Sequence, residues 1–181
     1  MPHSIILPDD LFAKLQAHAV PLVDTPLTVI ERALAALEAG DEDPVQDSGV
    51  RTFNPAAPPS LSHTTPRKAV LAGKRMPANA TYWNPIMNAV IQEAAKRGVV
   101  RQDLVDLLTV NWVEGEKTDM GYKYIEAAGI SVQGQDANAA WRQAHRIAES
   151  FGIGISVEFV WQNTDKAAMP NTLGSFFVEG D

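Results

Sequence analysis

The sequence predicts an α+β, mainly helical protein made of two folded parts joined by a flexible linker. Three observations carry that reading. Apolar residues recur at helical spacing in segments near the start and through the second half of the chain. A stretch rich in Pro and acidic residues, from Gly40 to Pro66, separates them. Two segments near the end read as a pair of strands. At 181 residues, with 45% hydrophobic and 20% charged residues, the chain is long enough for one medium domain or two small ones.

The first forty residues predict a strand and two helices. Ser4-Ile5-Ile6-Leu7 is a short β-branched run stopped by Pro8, and Asp9 or Asp10 caps a helix with Leu11, Phe12, Leu15 and Ala19 on one stripe. Thr25 is a good N-cap with Pro26 behind it, and Val29, Ile30, Ala33, Leu34 and Leu37 recur until Gly40 ends the segment. So short a unit buries little apolar surface alone, so a dimer is the physical expectation, with Ile5, Leu7, Leu11, Val29, Ile30 and Leu34 at its interface.

On the pattern from Ile5 to Leu34, with the Asp9-Asp10-Leu11-Phe12 helix start, His18, Thr25, Val29-Ile30 and Arg32, this unit resembles the N-terminal domain of the SeqA replication-control proteins. The resemblance implies a ribbon-helix-helix-like dimerisation or oligomerisation module over residues 1–40. DNA-reading relatives of that fold carry polar or basic residues on the outward ribbon face, whereas Ile6 stands here, which favours assembly over base reading.

Residues 41–80 read as a linker that carries a basic segment. Gly40-Asp41-Glu42-Asp43-Pro44 opens it and Asn54-Pro55-Ala56-Ala57-Pro58-Pro59 continues it, a composition that favours a partly extended tether. Arg67, Lys68, Lys74 and Arg75 follow. Charge is divided accordingly: residues 1–63 carry three bases and nine acids, residues 64–102 seven bases and one acid, and residues 103–181 five bases and twelve acids. The basic middle is either a phosphate-binding patch, since counterion release is local, or a solvated stretch that offsets its acidic neighbours.

The second folded part spans residues 81–181. Asn84 and Pro85 start a helix with Ile86, Met87, Val90, Ile91 and Ala94 inward, closed by Lys96-Arg97-Gly98. Arg101 to Thr109 gives a second helix. Asn111 to Gly134, broken by four glycines, reads as loop with a short helix. Asp136 begins a long helix with Ala140, Trp141, Ala144, Ile147 and Ala148 inward. Ile155 to Trp161 alternates as a strand, and Leu173 to Val178 is its partner across a loop. Helices followed by strand, loop and strand form the order of a winged helix-turn-helix. From Pro85 to Val178, with Trp141 buried, the chain resembles the N-terminal winged-helix domains of Mrr-type restriction proteins.

That order makes the helix from Asp136 a recognition helix. Gln133, Gln135 and Asn138 carry amides suited to adenine, Arg142 and Arg146 project from the outer face, and Lys166 is the base of the wing. Lys68, Lys74 and Arg75 would clamp phosphate. The same polar residues also fit an ordinary solvated helix face. Double-stranded DNA is the expected partner and a homodimer or higher homo-oligomer the expected assembly. The two resemblances imply replication control, transcription regulation or restriction and defence. A protein-interaction adaptor is the alternative, suggested by the acidic second half.

Other chemistry is not indicated. With no cysteine the chain has no disulfide framework or thiolate metal site, and the cytoplasm is the default location. The start, Met1-Pro2-His3-Ser4, lacks the basic and apolar pattern of an export signal, and no apolar run is long enough to cross a bilayer. No phosphate loop, nucleophile elbow or HExxH helix occurs, so the reading is of a non-enzyme without cofactor or metal. Asp103, Asp106, Glu114 and Glu116 are the nearest approach to a Mg²⁺ set, and an ordinary solvated acidic face is the better account of them.

Overall fold

The computed structural model describes residues 49–181 together with Thr25 and Ile30. The chain divides into two units, Met1–Ser48 and Gly49–Asp181. In the first, Ile30 is helical and half-buried, and Ile5, Leu7, Leu11, Val29 and Leu34 lie outside the described residues.

The second unit is a mixed α/β domain. In chain order its elements are β1 (Arg51–Thr52), β2 (Thr64–Leu71), β3 (Lys74–Arg75), α1 (Trp83–Lys96), α2 (Arg101–Asp106), β4 (Trp112–Glu114), β5 (Tyr122–Ile125), β6 (Ile130–Gln133), α3 (Ala137–Ser150), β7 (Ile155–Trp161) and β8 (Leu173–Val178). Five strands form one sheet in the order β1-β8-β7-β2-β3, and three form another in the order β4-β6-β5. Within the first sheet only the β1–β8 pair is parallel.

This overturns the mainly helical, winged expectation: among the described residues more lie in strands than in α-helices. The strands β7 and β8 do form an antiparallel pair, but β7 is the centre of a five-stranded sheet with β2 along its other edge. No helix-turn-helix delivers α3, because β6 and a short loop precede it. The stretch read as loop and short helix, Asn111 to Gly134, has a short 3-10 helix at Glu126–Ala128 but also contains all three strands of the second sheet.

The linker expectation for residues 41–80 fails from Arg51 onward for a packing reason. Three buried indoles hold this segment down: Trp141 Nε1 donates to Pro55 O, Trp161 Nε1 to Ser60 O and Trp83 Nε1 to Thr64 Oγ1, each at 2.9 Å. Leu61 is fully buried, and its N–H donates to Asn138 Oδ1 at 2.7 Å. A buried indole N–H needs an acceptor: the uncommitted carbonyls of Pro55 and Ser60 in the Pro-rich strap supply two, and the Thr64 hydroxyl at the start of β2 supplies the third.

The core lies between the first sheet and α1 with α3. Trp141 stacks on Phe176 at 4.4 Å, and Phe159 meets Phe176 at 4.7 Å, Trp161 at 5.0 Å and Trp83 at 5.5 Å. The alternation of β7, with Ile155, Val157, Phe159 and Trp161 buried, places all four on this face. Gly174 permits the close approach, since a Cβ there would lie 2.7 Å from the Phe159 ring.

Helix α3 begins where the sequence indicated. The Asp136 carboxylate accepts from the N–H of Asn138 and Ala139, at 2.8 and 3.0 Å, which closes the first turn. The start of α1 differs: Tyr82 is the N-cap residue, and the Asn84 side chain instead exchanges two hydrogen bonds with the Gln135 backbone. That pair ties the beginnings of α1 and α3 together.

Candidate nucleic-acid interface

The basic segment folds into a hairpin at the edge of the five-stranded sheet. Leu71 pairs with Lys74 across a two-residue loop, Ala72-Gly73, whose φ values are 48° and 74°. Two successive positive φ values define the tight turn whose twist matches antiparallel strands. Earlier in β2 the register with β7 shifts between Pro66 and Lys68, a bulge that turns Arg67 outward.

The consequence is a cluster of four bases on two strands. Arg67, Lys74 and Arg75 are exposed, and among the described residues no carboxylate lies within 4.0 Å of any of them. Lys68 stands 3.7 Å from Glu158 on the neighbouring strand. Of the other three bases of residues 64–102, Lys96 is exposed and two are paired. Arg97 pairs with Glu93 and donates to Gly152 O, and Arg101 pairs with Glu114 at 2.7 Å.

On the sheet face away from the helices Lys68 and Arg75 adjoin a second kind of surface, whereas Lys74, in line with Leu71 and Ile155, belongs to the opposite face. Strand pairing sets Phe177 opposite Ser156, Ser156 opposite Val70, and Val70 opposite Arg75, which is one row across four strands. The next row is Ser175, Glu158 and Lys68. Phe177 is 63% exposed. Sequence reasoning missed it, although the signal was present: of two adjacent phenylalanines in a strand, only one faces the core.

The residues assigned to base reading are placed differently. Gln133 accepts from Asn111 and donates to Met120 O, Gln135 donates to Gln133 O, and Asn138 accepts from Leu61 N. Their amides tie loops together. Arg142 and Arg146 lie on a narrow exposed stripe of α3 beside Glu149, and Lys166 is exposed in the β7–β8 loop. The structure does not bring these three bases to the β2–β3 hairpin's strands.

A cleft of about 260 Å³ lies beside Thr64, Tyr82, Trp83, Asn84 and Gln135, at the starts of α1 and α3. Among the described residues no three His, Cys, Asp or Glu side chains converge as a metal site, and Asp106 instead accepts from Gln102 at 2.7 Å. The Asp136 carboxyl is held below its ordinary value by the Ala139 N–H, with smaller help from Asn138 and Arg142 and against a modest cost of burial. No described helix is long and apolar enough to cross a membrane.

No family model, curated protein or solved structure matches the chain.

Proposed function

We propose that the protein binds DNA as a dimer, with the N-terminal unit joining two chains and the β2–β3 hairpin contacting phosphate. The observation that carries this reading is the set of exposed bases on one hairpin, Arg67, Lys74 and Arg75, without a carboxylate partner among the described residues. Phosphate binding by Lys and Arg is local, so an overall charge of -7 does not oppose it. Two hairpins on one dimer turn modest contacts into useful affinity through effective concentration. The engaged amides of Gln133, Gln135 and Asn138 argue that backbone contact, rather than base reading by α3, supplies the binding.

A second reading, a protein-interaction adaptor, draws on the five bases and twelve acids of residues 103–181. Retention of sheared genomic DNA, methylated and unmethylated, on immobilised full-length protein near physiological salt separates the two. DNA binding predicts retention that falls with salt. No retention, even at low salt, favours the adaptor.

A further inference from the structure

The open face of the five-stranded sheet combines two features that occur side by side in one register row. At one end stands Arg75 on the basic hairpin, and at the other the exposed ring of Phe177. Three strand spacings separate them, about 14 Å. The positions between are small or aliphatic, Ser156 and Val70, so nothing bulky divides the ring from the charge. Leu173, also on β8 and on the same face two positions beyond Ser175, is 38% exposed and extends the apolar strip.

We infer that this face takes a single-stranded segment of DNA, with a base stacked on Phe177 and the phosphate backbone following the β2–β3 hairpin. The inference rests on the reading of that hairpin as a phosphate contact. Charge complementarity selects the occupant: an apolar peptide would leave Arg67 and Arg75 unanswered, whereas a nucleic-acid strand offers both an anion and a planar apolar face. A duplex offers only the anion, because its bases are already stacked on one another, and an exposed ring on a sheet is matched by a base that is free of its neighbours. Glu158, in the middle of the face, is accompanied by Lys68 at 3.7 Å and lies one row from the line joining Phe177 to Arg75. The backbone therefore passes along the hairpin and not over that carboxylate.

The test uses the full chain with a fluorescent 20-nucleotide oligothymidylate and a 20-base-pair duplex, read by anisotropy. Phe177→Ala should weaken binding of the oligothymidylate about tenfold and leave duplex binding unchanged, and Phe177→Trp should retain both. The ring is largely exposed, so either substitution leaves the core intact. Unchanged oligothymidylate binding by Phe177→Ala, or an equal loss on both probes, overturns the stacking assignment while the DNA reading stands. Absence of binding to either probe by the unaltered protein overturns both.

Discussion

Leu61 distinguishes a tether from a strap built into the fold. The residue is fully buried although it lies in a Pro-rich stretch, and its N–H is bonded to Asn138 at 2.7 Å. Leu61→Ala removes three carbon atoms' worth of buried surface, about 2.4 kcal/mol at roughly 0.8 kcal/mol for each. The cavity left behind adds to that, since the backbone around it is pinned by Asn138 and by the Trp161 indole on Ser60. A loss of about 3 kcal/mol follows, within the range of about 2–5 kcal/mol for such truncations. Urea unfolding of the full chain followed by tryptophan fluorescence reads it directly, because Trp141 and Trp161 are both buried beside the strap. At about 3 °C per kcal/mol for a chain of this size, the melting temperature should fall by about 9 °C. A change below about 0.5 kcal/mol, the size typical of a surface position, would refute the packing argument.

Other predictions concern the α3 cap and the N-terminal unit. Asp136→Ala should cost about 1 kcal/mol at pH 7 through loss of the bonds to Asn138 and Ala139. Because the folded carboxyl titrates below its ordinary 3.8, that contribution is present above pH 3.8 and is lost as pH falls through the lower folded value. The stability difference between variant and parent, measured by urea unfolding, should therefore shrink below pH 4, and a pH-independent difference would contradict the cap. Removal of residues 1–40 should yield a folded monomer by sedimentation, and a persistent dimer would move the assembly surface to residues 49–181.

The sequence made the long elements legible because each shows its full period. Alternation from Ile155 to Trp161 marks β7, and the apolar stripe behind Asp136 marks α3 with its cap. The second sheet was hidden because its strands are three or four residues long, too short for an alternation to register. Strand β2 was masked by its bulge: Pro66 sits where the register shifts, so the alternation before it is out of phase with Ala69 and Leu71 after it. The hairpin turn carried Ala72 where Asn is the usual signal, so Ala-Gly did not announce two positive φ values. The strap was read as a tether because its anchors are three indoles between 19 and 101 residues away, a long-range fact that local composition does not encode. The four hairpin bases were visible as a charge cluster, but their placement on adjacent strands depended on that unrecognised turn.

The most direct test of DNA contact by the β2–β3 hairpin is the salt dependence of duplex binding, compared between the parent protein and the variant with Lys74→Ala and Arg75→Ala. If both side chains meet phosphate, the slope of log affinity against log salt should flatten by about 0.9 for each, about 1.8 in all. An unchanged slope in a variant that still binds would place the phosphate contacts elsewhere on the molecule and contradict the account.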